Sequence, residues 1–318
     1  MSFSSKTKNE LVRKMFENKC CQFAEASSLL RMSGTIQLAG LNKVNIKVTT
    51  ENPAIARLIF KLFKNNFGVD TKVLVKKNKV LKKGNTYVVS ISNAKEILQE
   101  LEIIGFENNS FNINYKLPKK LLDNECCRRA YLRGAFLGGG SVSDPEKTYH
   151  LEFVTHNEEF SGELLSLVNS YGLKAKVILR KNNYVVYLKE GDQIVDLLNI
   201  IGAHNALMHL ENIRIIKQMR NNVNRIVNCE TANLSKIVEA SIRQIKNIQY
   251  IERTAGFKVL PDNLREIAEL RLKYKNASLK ELGQMLNPPV GKSGVNHRLR
   301  KIEKIAERLR KKGAVNND

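Results

Sequence analysis

An internal duplication constrains this chain more than any other feature. Residues 20–36 (CCQFAEASSLLRMSGTI) and 126–142 (CCRRAYLRGAFLGGGSV) align without a gap. Cys20 meets Cys126, Ala24 meets Ala130, Ser28 meets Gly134, Gly34 meets Gly140 and Ile36 meets Val142. The register continues downstream. VNIKVTTEN (44–52) matches YHLEFVTHN (149–157), YVVSIS (87–92) matches YVVYLK (184–189), and LEIIG (101–105) matches LNIIG (198–202). Self-similarity of this kind marks a repeated structural unit. Alternating apolar positions in 44–52 and 149–157 read as half-buried strands, and 58–68 and 164–172 read as helices closed by Gly. Each copy, about 20–105 and 126–202, therefore reads helix, two strands, helix, two strands, helix. The first copy carries extra lysine-rich residues near 74–86.

The opening helix of each copy has small residues four apart, Ala24 and Ser28 in one, Ala130 and Gly134 in the other. Small residues let two helix backbones approach closely, so the copies are expected to pair through these helices about a pseudo-two-fold axis.

Charge points to the partner. Lys and Arg number 53 against 31 Asp and Glu, a net +22 at pH 7. So large an excess suits a polyanion. A membrane-surface reading would want a basic amphipathic helix with Trp or Phe on its apolar face, and the chain has no Trp, so nucleic acid is the expected partner and no membrane is. No apolar run reaches the ~20 residues needed to span a bilayer, and residues 1–17 lack the apolar stretch of a secretion signal. The expected location is the cytoplasm, in association with the nucleoid.

Cys20–Cys21 and Cys126–Cys127 are adjacent pairs, and Cys229 stands alone. Bonding within a pair would be strained, and no spacing typical of zinc ligands occurs. The cysteines read as small buried thiols. His150, His156, His204 and His209 read as structural or surface residues, and no metal or cofactor is expected.

The C-terminal third reads as helical. Residues 206–227 form a helix leading into a linker, and a second helix runs from about 231 to 251 with Ile237, Ile245 and Ile248 along its stripe. A third spans 261–275. Ser278 with Glu281 forms a capping box for SLKELGQML, and Asn287-Pro288-Pro289 breaks the chain before a last helix from about 292 to 312. A short helix, a turn and a longer basic helix make a helix-turn-helix, here at about 278–311. Residues 278–313 hold ten Lys or Arg and three Glu, a net of +7. Val295, Leu299, Ile302, Ala306 and Leu309 form the inward stripe. Lys292, Ser293, Asn296, His297, Arg298, Arg300, Lys301 and Lys304 remain for DNA. Asn can pair with adenine, Arg or Lys with guanine, and a helix N-terminus suits phosphate. A second surface is expected on the strands and hairpins of the two copies, at Lys72, Lys76, Lys77, Lys79, Lys174, Lys176 and Arg180.

YLRGAFLGGGSV (131–142) resembles the LAGLIDADG motif of homing endonucleases. The resemblance implies an αββαββα lobe in duplicate, with the two motif helices at the centre and a metal-holding acid at the end of each. The acid position falls on Ser33 in the first copy and Gly139 in the second, neither of which can serve as a carboxylate ligand. The block KSGVNHRLRKI (292–302), with VNCETANLSKIVEASIRQIKNI (227–248) and SLKELGQML (278–286), resembles the WhiA family. That likeness implies a degenerate LAGLIDADG-like domain joined to a C-terminal helix-turn-helix. It also implies a role in cell division and chromosome segregation, with transcription control of sporulation in spore-forming relatives.

The expected architecture is thus an α+β domain over 1–205, a linker helix over 206–228 and an all-α DNA-binding domain over 229–318. The expected activity is non-enzymatic binding of double-stranded DNA, with the N-terminal domain as a second DNA surface or a platform for other proteins. Two alternatives stay open: a residual LAGLIDADG-type endonuclease or RNA maturase, and a regulator that senses a ligand in the former active-site cleft.

Overall fold

The structure, a computed structural model, describes residues 1–38, 44–77, 84–107 and 110–315. The chain divides into two compact units, Met1–Gln218 and Met219–Asp318.

In the first unit the expected order appears twice. The first copy runs α2 (Lys19–Ser33), β1 (Gly34–Leu38), β2 (Val44–Thr50), α3 (Pro53–Phe67), β3 (Thr71–Lys76), β4 (Thr86–Ile91) and α4 (Lys95–Glu100). The second runs α5 (Glu125–Gly139), β7 (Gly140–Val142), β8 (Leu151–Thr155), α6 (Glu158–Asn169), β9 (Lys176–Arg180), β10 (Asn183–Leu188) and α7 (Gly191–Ile200). Each copy forms an antiparallel four-stranded sheet, β1-β2-β4-β3 in one and β7-β8-β10-β9 in the other.

Local chemistry explains the repetition. Asn52 and Asn157, aligned in the two copies, each end a strand and cap a helix. The Asn52 side chain accepts from the Ala54 N–H at 2.9 Å, and that of Asn157 from the Phe160 N–H at 2.8 Å. An Asn N-cap is worth about 1 kcal/mol over Ala. Val44, Ile46 and Val48 alternate inward on β2, as Leu151 and Phe153 do on β8. Two elements go beyond the repeated pattern. Helix α1 (Phe3–Arg13), capped by Ser2, precedes the repeat, and a hairpin of β5 (Ile104–Glu107) and β6 (Ser110–Ile113) joins the copies.

Helices α2 and α5 pack directly on each other, with Ala24, Ser28, Ala130 and Gly134 fully buried in or beside their contact. A methyl group added at Gly134 would collide with the Ser28 hydroxyl and the Glu25 carbonyl, so a glycine is needed at this approach. Ser28 keeps its own hydroxyl satisfied by donating to the Glu25 carbonyl at 3.1 Å.

One expectation is corrected. No linker interrupts residues 206–251. Helix α8 is continuous from His204 to Ala255, and the division between units falls inside it. The segment contains neither Gly nor Pro, so nothing in it obliges the backbone to leave the helix. Ile237 is exposed, as is every residue from 218 to 239, and burial on α8 within the second unit resumes with Asn247, Ile248 and Ile251.

The second unit adds α9 (Asp262–Lys273), α10 (Leu279–Gln284) and α11 (Lys292–Val315). Its core joins Ile248 and Ile251 to Leu264, Ile267, Leu282, Leu286, Val295, Leu299, Ile302 and Ala306. Each buried Ile, Leu or Val among them contributes about 1.5–3 kcal/mol by leaving water, and Ala306 less.

Candidate nucleic-acid interface

Helix α11 takes its orientation from both neighbours. The capping box that starts α10 is formed, with the Ser278 N–H donating to Glu281 Oε2 at 2.7 Å and the Glu281 N–H donating to Ser278 Oγ at 3.3 Å. The backbone N–H of Ser278 holds the Glu281 carboxyl below its usual range. After the turn, Val290 N–H returns to the Gly283 carbonyl at 2.9 Å, which ties the entry of α11 to α10. Further along, Arg310 donates to Asn247 Oδ1 at 2.9 Å and stacks on Tyr250, while Arg243 pairs with Glu303 at 3.1 Å, so that α11 is also fastened to α8.

With Val295, Leu299, Ile302 and Ala306 turned inward, the remaining face of α11 is free. Lys292, Ser293, His297, Arg300, Lys301 and Lys304 are exposed, and Asn296 is half-buried at the boundary. Arg298 differs from the others. It is half-buried and donates to the Asn263 carbonyl at 3.4 Å, so its guanidinium is engaged with α9.

In the first unit, strands β3 and β9 each form one edge of their sheet, and their residues are predominantly exposed. Cross-strand register separates two faces. Val73, Val89 and Val48 align on the face whose inner members enter the core. Lys72, Ser90, Lys47 and Thr35 align on the opposite face, where alternation also places Leu74 and Lys76. In the second copy Lys176, Tyr187, Glu152 and Ser141 form the corresponding row, and alternation adds Arg180. Of the basic residues expected on a second surface, Lys72, Lys76, Lys176 and Arg180 thus occupy open sheet faces, while Lys77 and Lys174 are exposed just outside the strands. Lys79 lies outside the described residues. Charge is partly offset on both faces, by Asp70 at 3.5 Å from Lys72 and by Glu152, which receives His150 at 3.0 Å and Ser141 at 3.1 Å.

The two motif helices end at Ser33 and Gly139. The Ser33 hydroxyl donates back to the Leu29 carbonyl at 2.8 Å. A side chain at Gly139 would meet the Met32 terminus and, at 2.9 Å, the Val154 carbonyl, so that helix end has no room for a carboxylate. Basic groups stand there instead. Lys8 from α1 donates to the Leu137 carbonyl at 3.2 Å, and Arg31 donates to the carbonyls of Asn114 and Glu102, the latter at 2.7 Å. Cations complement the negative end of a helix dipole. Burial pushes the Lys8 ammonium down to about 8 and lowers Arg31 as well.

At the other end of the same helices the reading of the cysteines needs correction. Cys21 and Cys127 are buried, but Cys20, Cys126 and Cys229 are exposed. The two adjacent pairs, 106 residues apart, converge so that all four sulfur atoms lie within 4.8 Å of one another. Burial raises the thiol of Cys21 and pushes that of Cys127 up to about 12. Nothing in linear spacing signals this cluster. The alignment of Cys20 with Cys126 does, once combined with the pairing of the helices.

Three family domains match in series: the WhiA N-terminal LAGLIDADG-like domain at residues 19–104, the WhiA LAGLIDADG-like domain at 128–220, and the WhiA C-terminal HTH domain at 223–306. A curated protein of Alkaliphilus metalliredigens (strain QYMF), described as a probable cell division protein WhiA, is 64% identical over 315 residues, covering 98% of this chain and 99% of its own. The chain belongs to the WhiA family. A second WhiA protein, from Alkaliphilus oremlandii (strain OhILAs), is 61% identical and covers all of both chains. The crystal structure of full-length WhiA from Thermatoga maritima aligns over 97% of this chain and 99% of that one, with a TM-score of 0.59 at 26% identity. The WhiA HTH match contains α9, α10 and most of α11, and the two WhiA LAGLIDADG-like matches contain α2 with Ser33 and, from residue 128 onward, α5 with Gly139. Among the described residues no helix is long and apolar enough to cross a membrane.

Proposed function

We propose that this protein is a non-catalytic binder of double-stranded DNA that acts in cell division and chromosome segregation, and regulates transcription, with α11 as its recognition helix. The observation that carries the reading is the exposed face of α11. Six of the residues assigned to DNA lie free on one helix whose opposite face is locked into the core. Exposed Lys292 and Ser293 at its start would meet phosphate, and Asn296, Arg300 and Lys301 would reach base edges or the backbone. The cell-division role rests on the description of the Alkaliphilus relatives.

Catalysis is disfavoured because Ser33 and Gly139 leave both helix ends without a carboxylate, and an added side chain at Gly139 would meet Met32 and the Val154 carbonyl. The open sheet faces are the second DNA surface in this reading, with the cytoplasmic nucleoid as its setting. Binding of the full-length chain to random duplex DNA, titrated against salt, tests the assignment. Arg300→Ala/Lys304→Ala should lower affinity and flatten the logarithmic salt slope by about 0.9 for each phosphate that is no longer neutralised. Lys72→Ala/Lys76→Ala/Lys176→Ala/Arg180→Ala should flatten it further. If only the second set changes the slope, recognition does not reside in α11. Magnesium-dependent nicking of supercoiled DNA by the wild type would overturn the non-catalytic reading.

A further inference from the structure

The four thiols at the start of the paired helices form an arrangement that the DNA-binding reading leaves unused. Cys20 and Cys21 occupy the first turn of α2, and Cys126 and Cys127 the first turn of α5. Each copy therefore supplies one outer, exposed thiol and one inner, buried thiol. Cys21 Sγ lies 4.0 Å from Cys127 Sγ, which lies 4.0 Å from Cys126 Sγ, and no pair among the four exceeds 4.8 Å.

Zinc held by four thiolates has bonds of about 2.3 Å, which sets the sulfur–sulfur edge of the tetrahedron at about 3.8 Å. The two 4.0 Å separations already match that edge closely. The longest needs to close by about 1 Å, which rotation of the exposed Cys20 and Cys126 side chains can supply. Burial favours the neutral thiols of Cys21 and Cys127, and the helix ends oppose it. Two helix N-termini converge on the cluster, and a helix N-terminus stabilises thiolate. Neither Asn18 nor Asn124, the N-cap residues, uses its side chain to cap its helix, so these ends keep unspent capacity for negative charge. Carboxylates and imidazoles are absent from the cluster, and a set of sulfur ligands selects zinc over magnesium or calcium.

We propose that Cys20, Cys21, Cys126 and Cys127 form a structural tetrathiolate zinc site that joins the two copies at the N-terminal ends of their central helices. The metal replaces thiol protons, which are released to solvent, and it links residues 106 positions apart in the chain. It reinforces the helix pair at the end opposite to Ser33 and Gly139 and takes no part in DNA chemistry.

The test uses the full-length protein, purified under reducing conditions, with zinc alone and cobalt(II) alone as probes. Metal analysis should return one zinc per chain, and cobalt should give the intense visible absorption of tetrahedral tetrathiolate coordination. Zinc should raise the midpoint of thermal unfolding. Cys20→Ser/Cys126→Ser alters exposed residues only. It should keep the wild-type circular dichroism while losing the bound metal, the cobalt spectrum and the zinc-dependent midpoint shift. Cys229→Ser should retain all three. The proposal is overturned if the wild type binds no more zinc than the double variant. It is equally overturned if anaerobically isolated protein yields a disulfide between the copies, since the cluster would then be a redox pair.

Discussion

Glu25 on α2 and Arg133 on α5 meet as a bidentate ion pair, Nε to Oε1 at 2.7 Å and Nη2 to Oε2 at 3.0 Å, in the middle of the helix interface. Their side chains are 0% and 6% exposed, and Phe16 covers the guanidinium with its ring centre 3.6 Å from Cζ. The pair breaks the pseudo-symmetry of the duplication. In the alignment Glu25 corresponds to Tyr131, and Arg133 corresponds to Ser27. Two α2 helices brought together in the same way would set Glu25 against Ser27 and bury a carboxylate without a cation. The ion pair therefore selects pairing between unlike copies.

Removing one partner should cost far more than removing both. Arg133→Met leaves a buried carboxylate and should destabilise the first unit by about 3–5 kcal/mol, while Glu25→Leu/Arg133→Met should recover much of the loss. Burial already pushes the Glu25 carboxyl up, with Arg133 opposing it. Without Arg133 the carboxyl rises further, so the folded state holds a proton that the unfolded state gives up. Stability of the single variant should then fall as pH rises from 5 to 8. Urea unfolding at both pH values checks this, and a pH-independent loss would contradict it.

Lys8 gives a dependence of the opposite sign. Its ammonium is lowered to about 8, against an ordinary 10.5 in the unfolded chain. Between those values the unfolded state carries a proton that the folded state lacks, so stability rises with pH there, by up to about 1.4 kcal/mol per unit. Lys8→Met should remove that rise from the difference between variant and wild-type unfolding curves.

The cap of α10 should titrate as well. Glu281 lies below its usual range because the Ser278 N–H donates to it, so its contribution is present above about pH 4.3 and disappears as pH falls through the folded value. Ser278→Ala should lower the stability of the second unit by about 1 kcal/mol at pH 7. Calorimetry should find a smaller effect near pH 3.

Restoring a side chain at the helix ends should separate two positions that align in the duplication. Gly139→Ala forces the added methyl against Met32 and the Val154 carbonyl and should cost about 1–3 kcal/mol. Ser33→Ala gives up one hydrogen bond, to Leu29, and should cost about 1 kcal/mol or less. Equal losses in thermal melts would rule out the steric account.

On α11, Asn296→Ala should relax sequence preference by about 1–3 kcal/mol at one base pair. Lys304→Ala should weaken binding evenly across sequences. Competition binding against a library of duplexes distinguishes the two, and identical behaviour would refute the assignment of faces.

Much of the fold is written in local sequence, because caps and alternation act over a few residues. Asn52 and Asn157 start their helices in both copies, Ser278 and Glu281 close a box three residues apart, and the inward stripe of α11 follows helical period. The duplication predicts the α2–α5 contact, since like segments with Ser28 and Gly134 at matching positions are made to approach closely. The continuity of α8 is legible too, in the absence of Gly and Pro from 204 to 255, although the polar residues between its apolar stretches read as a linker between two helices. Tertiary structure alone decided the pairing of Glu25 with Arg133, the use of Arg298 to hold α9, and the convergence of four thiols. Each depends on the rotation and register of one element against another. Packing of whole faces sets that relation, and neighbours in the chain do not.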